Sequence, residues 1–216
     1  VSWLYGIGQH CECAGVEAAI TLDIGHIGIY DALFSGEALA PEIEQQVFDA
    51  LQSKSGPDIA RLAKILAPDV ATKLEHLAAL HGSTDVLNRA RDIFEGEATV
   101  QCALDDLEKV LTRVRDGFPN VDLYVDLTEL RGFRYHTGLV FAVYVEGRGS
   151  AVAKGGRYDS IGAVFGRDRP AMGFAIDLKA LLEDATLSSS HTPPIIAPQG
   201  EGEALLTAIA ALRAAG

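Results

Sequence analysis

The chain has 216 residues, 48% of them hydrophobic, with 18 Lys plus Arg against 30 Asp plus Glu and a formal charge of -12. This length and apolar content suffice for a substantial core in one large domain, or one domain carrying an insertion. A field of that sign repels polyphosphates and disfavours a tRNA-sized partner unless basic residues cluster.

The opening "VSWLYGIGQH" lacks the charged and long apolar segments of a secretory signal, and no apolar run reaches the roughly 18 residues of a membrane helix. Cys11, Cys13 and Cys102 form neither an even framework nor a CxxC pair, so the expected compartment is the cytoplasm. "HCEC" sets His10, Cys11 and Cys13 together, but the spacing is not that of a zinc knuckle and no second pair follows; no metal is expected. Residues 19 to 30, "AITLDIGHIGIY", predict a strand leading to a turn or short helix, with His26 a hydrogen-bonded structural residue rather than a base.

From Gly36 to Gly117 apolar residues recur every three or four positions. They predict five helices, over Pro41–Ser53, Pro57–Ala67, Pro68–His81, Thr84–Phe94 and Thr99–Asp116, with Pro in several first turns and Ser83 as a cap. Strands return after Pro119 in "VDLYVDL", "GLVFAVYVE" and "SAVAKGG", the last two joined as a hairpin. A helix follows over "DLKALLEDA", then a linker at residues 187 to 194, a short strand "PIIAP" and an Ala-rich helix. This order is α+β: an antiparallel sheet interrupted by a helical insertion, then the start of an α/β segment. The expected divisions are 1–35 and 118–186 for the core, 36–117 for the insertion and 187–216 for linker and tail.

Chemistry concentrates in residues 131 to 169. Arg131, Arg134, Arg148, Lys154, Arg157, Arg167 and Arg169 face only Glu146, Asp159 and Asp168, which makes this segment net +4 and leaves -16 elsewhere. A local basic site in an acidic protein suits a small anionic ligand, although any single arginine more often pairs with a neighbouring acid. In "AKGGRYDSIG", Gly155 and Gly156 admit close approach to the backbone, Arg157 can fork onto a carboxylate or phosphate, and Tyr158 offers a ring and a hydroxyl. "RGFRYHTG" repeats these ingredients, so the two clusters are expected to face each other across one pocket. No Ser lies in a nucleophile elbow, and no catalytic residue or cofactor is expected.

"ELRGFRYHTGLVF" and "AKGGRYDSIGAVFGRDRPAMGFAIDLKALL" together resemble the paired histidine-site motifs and third class II motif of histidyl-tRNA synthetases, across residues 121 to 184. With "LDIGHIGIYDAL", the wording is similar to the synthetase-like regulatory subunits of ATP phosphoribosyltransferase. The resemblance implies a class II aminoacyl-tRNA synthetase-like sheet and an amino-acid pocket of Arg131, Tyr135, His136, Gly155, Gly156 and Tyr158. In that pocket the glycines would let a small amino acid such as histidine lie against the strand. Two departures distinguish this chain from a synthetase. Arg134 and His136 replace an acid and a tyrosine, and the third motif ends in Asp177, Leu178, Lys179 and Ala180 where a synthetase has an arginine gripping the ATP phosphates. The resemblance therefore implies lost adenylation and a regulatory role. It further implies a catalytic ATP phosphoribosyltransferase partner and dimers of this chain. The competing expectations are a synthetase fragment and a free-standing amino-acid-binding module.

Overall fold

The computed structural model describes residues 18–37, 39–132, 135–159, 166, 169–184 and positions 204, 205, 207 and 208. The chain divides into two compact units, Val1–Thr186 and Leu187–Gly216, and every element named below belongs to the first. The "HCEC" stretch, Arg134, Arg167, the linker and the "PIIAP" strand lie outside the described residues.

Strand β1 (Ile20–His26) runs directly into helix α1 (Ile27–Phe34). The helical segment follows as α2 (Pro41–Gln52), α3 (Gly56–Ala63), α4 (Pro68–Ala78), a two-residue strand β2 (His81–Gly82), α5 (Val86–Ile93) and α6 (Ala98–Gly117). The chain then forms β3 (Val121–Asp126), β4 (Leu139–Val145), β5 (Ala153–Tyr158), β6 (Ala171–Ile176) and α7 (Leu178–Asp184). The sheet order is β2-β3-β1-β4-β5-β6. Among the described residues no helix is long and apolar enough to cross a membrane.

Apolar spacing explains the layer of helices. In α6, Val100, Ala103, Leu104, Leu107, Leu111 and Val114 are buried along one stripe, and this helix packs on α1 and β1. The sheet meets them with Leu22 and Ile24 of β1, whose register partners Val143 and Phe141 of β4 share that face. Strand β4 is flanked by β1 and β5, which is why six of its seven residues are buried.

The five helices form where periodicity predicts them, and proline occupies the first turn of α2, α3 and α4. Three local features differ. The α4 pattern stops at Ala78, and His81 and Gly82 instead pair antiparallel with Asp126 and Val125 of β3. Ser83 does not cap α5: Asp85 is the residue before the helix, without a side-chain cap, and the Ser83 carbonyl accepts from Val86 N at 3.1 Å. The sheet is mixed, since β1 and β3 are parallel whereas the other pairs are antiparallel. The cause is the long connection from β1 to β3 through helices α1 to α6 and the short β2, a crossover that returns the chain in its starting direction.

Gly25 controls how the segment after β3 crosses β1. A Cβ there would sit 2.4 Å from the Asp126 carbonyl oxygen and 3.0 Å from Glu129 Cβ. Gly25→Ala should therefore cost about 1–3 kcal/mol through overpacking, read as a lower urea midpoint with an unchanged m-value.

Candidate functional site

Alternation along β1 turns Thr21, Asp23 and Gly25 away from the helices. Register extends this second face across the sheet. Asp23 is followed by Ala142, Lys154 and Ala175, and Gly25 by Val140, Gly156 and Gly173. Tyr124 stands beside Asp23 on β3, and Tyr144 opposite Thr21 on β4. The floor is made of small residues, with charged and aromatic side chains rising around it.

The segment after β3 supplies the opposite wall. It turns at Gly132, whose carbonyl accepts from Tyr135 N at 2.7 Å and His136 N at 2.8 Å. The Tyr135 ring then lies 5.0 Å from Tyr158, and His136 lies 6.4 Å from Tyr158, centroid to centroid. Two adjoining depressions result and share His136, Lys154 and Gly155. The smaller, about 150 Å³, is lined by Glu129, Arg131 and Phe141 among others; the larger, about 370 Å³, by Tyr135, Tyr158, Gly173 and Phe174 among others.

All six residues expected from sequence thus meet: Arg131, Tyr135, His136, Gly155 and Tyr158 line the depressions, and Gly156 lies behind His136. The glycines also answer a packing constraint of the fold. A Cβ on Gly156 would lie 2.7 Å from His136 Nδ1, and one on Gly155 would lie 2.3 Å from the Gly173 carbonyl oxygen and 2.7 Å from Phe141 Cζ. Their bare backbones make room for the protein's own rings and for β6. Lys154, one of the basic residues of the 131–169 segment, lines both depressions, and Glu129, which the sequence does not single out, lines the smaller; Asp23 shares the same face of the sheet. For Lys154 the signal was strand alternation, which puts it on the face of Gly156 and Tyr158.

Arg131 is already engaged. Its Nε donates to both Glu129 carboxylate oxygens at 2.8 Å, its Nη2 to Glu129 and to the Tyr144 hydroxyl at 3.2 Å, and its backbone N–H to Glu129 Oε1 at 2.9 Å. The hydrogen bonds to Glu129 hold the guanidinium still more firmly as a cation. Arg157 follows the commoner pattern of pairing with a neighbour, its Nε 3.0 Å from both Asp159 oxygens. Burial lowers the pKa of His136 and favours the neutral ring; its Nδ1 is buried without a hydrogen-bond partner among the described residues. His26 caps α1, Nδ1 accepting from Gly28 N at 3.1 Å, as a structural histidine should.

The end of the third motif also has a definite geometry. Asp177 Oδ1 accepts from Ala180 N at 3.0 Å, so this carboxylate caps the start of α7 instead of standing free as a like charge toward a polyphosphate. Ala180 itself is buried and presents only a methyl group.

Asp23 is the most perturbed acid of this face. Burial first, then the charges of Asp126 and Glu129, push it up to about 7, with Arg131 and Lys54 opposing; its Oδ1 is buried and unpartnered among the described residues. The folded protein keeps this proton up to about pH 7, whereas the unfolded chain releases it near 3.8. Raising the pH through that window therefore removes stability, and the loss is complete above about 7. Relative to Asp23→Asn, the native protein should lose about 2 kcal/mol between pH 5 and pH 8, measured by urea unfolding of both at each pH.

The family model described as histidyl-tRNA synthetase matches residues 8–181. A relative from Pseudomonas syringae pv. syringae (strain B728a), named ATP phosphoribosyltransferase regulatory subunit, is 48% identical over 182 residues, covering 84% of this chain and 45% of that protein. One from Chromohalobacter salexigens with the same name is 45% identical over 208 residues, covering 95% of this chain and 52% of that protein. The chain thus spans about half the length of the curated relatives it matches. Among solved structures, an ATP phosphoribosyltransferase regulatory subunit/histidyl-tRNA synthetase from Bacillus halodurans is similar with TM-score 0.65 and 26% identity, over 77% of this chain and 44% of that one. An ATP phosphoribosyl transferase complex from Thermotoga maritima has TM-score 0.57 and 22% identity, over 75% of this chain and 54% of that one, a likeness of fold alone. The chain belongs to the histidyl-tRNA synthetase-like family that includes the ATP phosphoribosyltransferase regulatory subunits.

Proposed function

We propose that this chain is part of a non-catalytic regulatory subunit of ATP phosphoribosyltransferase, needed for activity and histidine feedback in the first step of histidine biosynthesis. In this reading the pocket of Arg131, Tyr135, His136, Gly155, Gly156 and Tyr158 takes histidine and does not adenylate it. The subunit works in the cytoplasm, in a hetero-oligomer of dimers of this chain with the catalytic subunit. Residues 1–35 and 118–186 are then the synthetase-like core and 36–117 an insertion offering part of the contact. Residues 187–216 are the linker and the start of an α/β segment.

The observation that carries this reading is Ala180. Phosphoryl and adenylyl transfer depend on fixed cations aimed at the phosphates, and removing one can cost several orders of magnitude in rate. Here the matching position is a buried methyl group and the nearby Asp177 carboxylate is engaged by a backbone N–H. The names of the relatives at 45% and 48% identity support the same function.

The complete protein, mixed with a purified short-form catalytic subunit, should raise transferase turnover and move both to a larger species on sizing, while showing no histidine-dependent ATP–pyrophosphate exchange. Robust exchange without stimulation of the transferase would establish the synthetase instead. Arg131→Ala should weaken histidine binding about a hundredfold or more, because it removes the pocket's fixed guanidinium and leaves the Glu129 carboxylate without its cation. Calorimetry on the well-folded complete protein reads this directly, and a silent substitution would refute the pocket assignment.

A further inference from the structure

We propose that Lys54, which belongs to the helical segment, is a positioning residue for the pocket: through Asp126 it holds the 126–131 segment that carries Glu129 and Arg131. The proposal rests on the pocket reading above only for the identity of the ligand.

The backbone at Lys54 is the first reason. Helix α2 ends in a Schellman arrangement, with Lys54 N donating to the Leu51 carbonyl at 3.1 Å and Ser55 N to the Ala50 carbonyl at 3.0 Å. Lys54 occupies the left-handed position, with φ 51°, where a Cβ is crowded and glycine is the usual choice. A strained residue is retained where its side chain is needed. This one reaches across to β3.

Lys54 Nζ lies 2.5 Å from Asp126 Oδ2, and Asp126 is only 2% exposed. The other oxygen, Oδ1, accepts from Thr128 N at 2.9 Å and Thr128 Oγ1 at 2.6 Å. The Asp126 carbonyl accepts from Glu129 N at 3.2 Å, and Glu129 in turn holds Arg131. Gly25 underneath leaves no slack, since the Asp126 carbonyl already occupies the space of a side chain there. Two more ties join the helical segment to the same strand or the residue after it: the His81 Nδ1–Tyr124 hydroxyl contact at 3.0 Å, and Leu127 N donating to the Leu80 carbonyl at 3.1 Å.

Charge gives an independent line. Asp23 is faced by Asp126 and Tyr124 from β3, by Glu129 and Arg131 from the segment after it, by Lys154 along the row through β4, and by Lys54 from the helical segment. Lys54 is one of the cations that keep Asp23 from rising further. Without it, Asp126 becomes a buried charge with no cation, and the segment it anchors loosens.

The test uses the complete protein with Lys54→Met, which keeps the stem and deletes the charge, and Lys54→Arg, which restores it. In the Met variant the amides of Thr128 and Arg131 should exchange about tenfold faster or more, with those of α6 unchanged. L-histidine should bind about tenfold more weakly, and the Asp23 carboxyl should titrate at higher pH by NMR. Lys54→Arg should return all three toward native values. Unchanged exchange at Thr128 and Arg131 in the Met variant would overturn the proposal, as would equal histidine affinity or failure of the Arg variant to rescue. If the native protein binds no histidine, the ligand reading fails, and the exchange data alone then support or overturn the role of Lys54.

Discussion

The carbonyl oxygen of Asp126 lies where a side chain on Gly25 would begin. That close approach lets the chain leave β3 and cross the end of β1 without a gap, and the rest of the site depends on it. The crossing puts Glu129 and Arg131 over the face carrying Asp23, and lets His136 reach back onto Gly156. A methyl group at residue 25 would press on the Asp126 carbonyl and on Glu129 Cβ, so the segment would have to shift.

Two of the site's charges, Arg131 and Asp126, are paired within the fold. The Arg131 guanidinium is forked onto Glu129, Asp126 is held by Thr128 and Lys54, and burial favours the neutral form of His136. Lys154, lining both depressions, adds a cation to this paired set. Ala180, at the start of α7, presents only a methyl group.

The helical segment is joined to the sheet in two ways. An apolar seam, in which α6 packs on α1 and β1, provides non-directional burial. Polar ties through Lys54, His81 and Leu80 are directional, and all three end on β3 or the residue after it. Burial makes the two parts one folded unit, whereas the polar ties specify where the pocket segment lies.

The amino-acid sequence by itself determined whatever is encoded within a short window. Three- and four-residue spacing located the five helices, proline marked first turns, and β-branched runs located β1, β3 and β4. The two clusters around Arg131 and Gly155 were legible because each is contiguous, and the loss at Ala180 because a motif fixes its position. The mispredictions came where a distant partner decides. Ser83 looked like a cap until β2 drew the preceding residues onto β3. The pairing of Arg131 with Glu129 and of Arg157 with Asp159 follows the ordinary preference of a single arginine for a neighbouring acid. What a side chain on Gly155 or Gly156 would meet, namely His136, Phe141 and the backbone of β6, is equally a matter of the fold. The parallel pairing of β1 with β3 and the reach of Lys54 to Asp126 were likewise settled only in three dimensions. Local propensity is a property of neighbours in sequence, while pairing of charges and filling of space depend on which atoms the fold brings within a few ångströms.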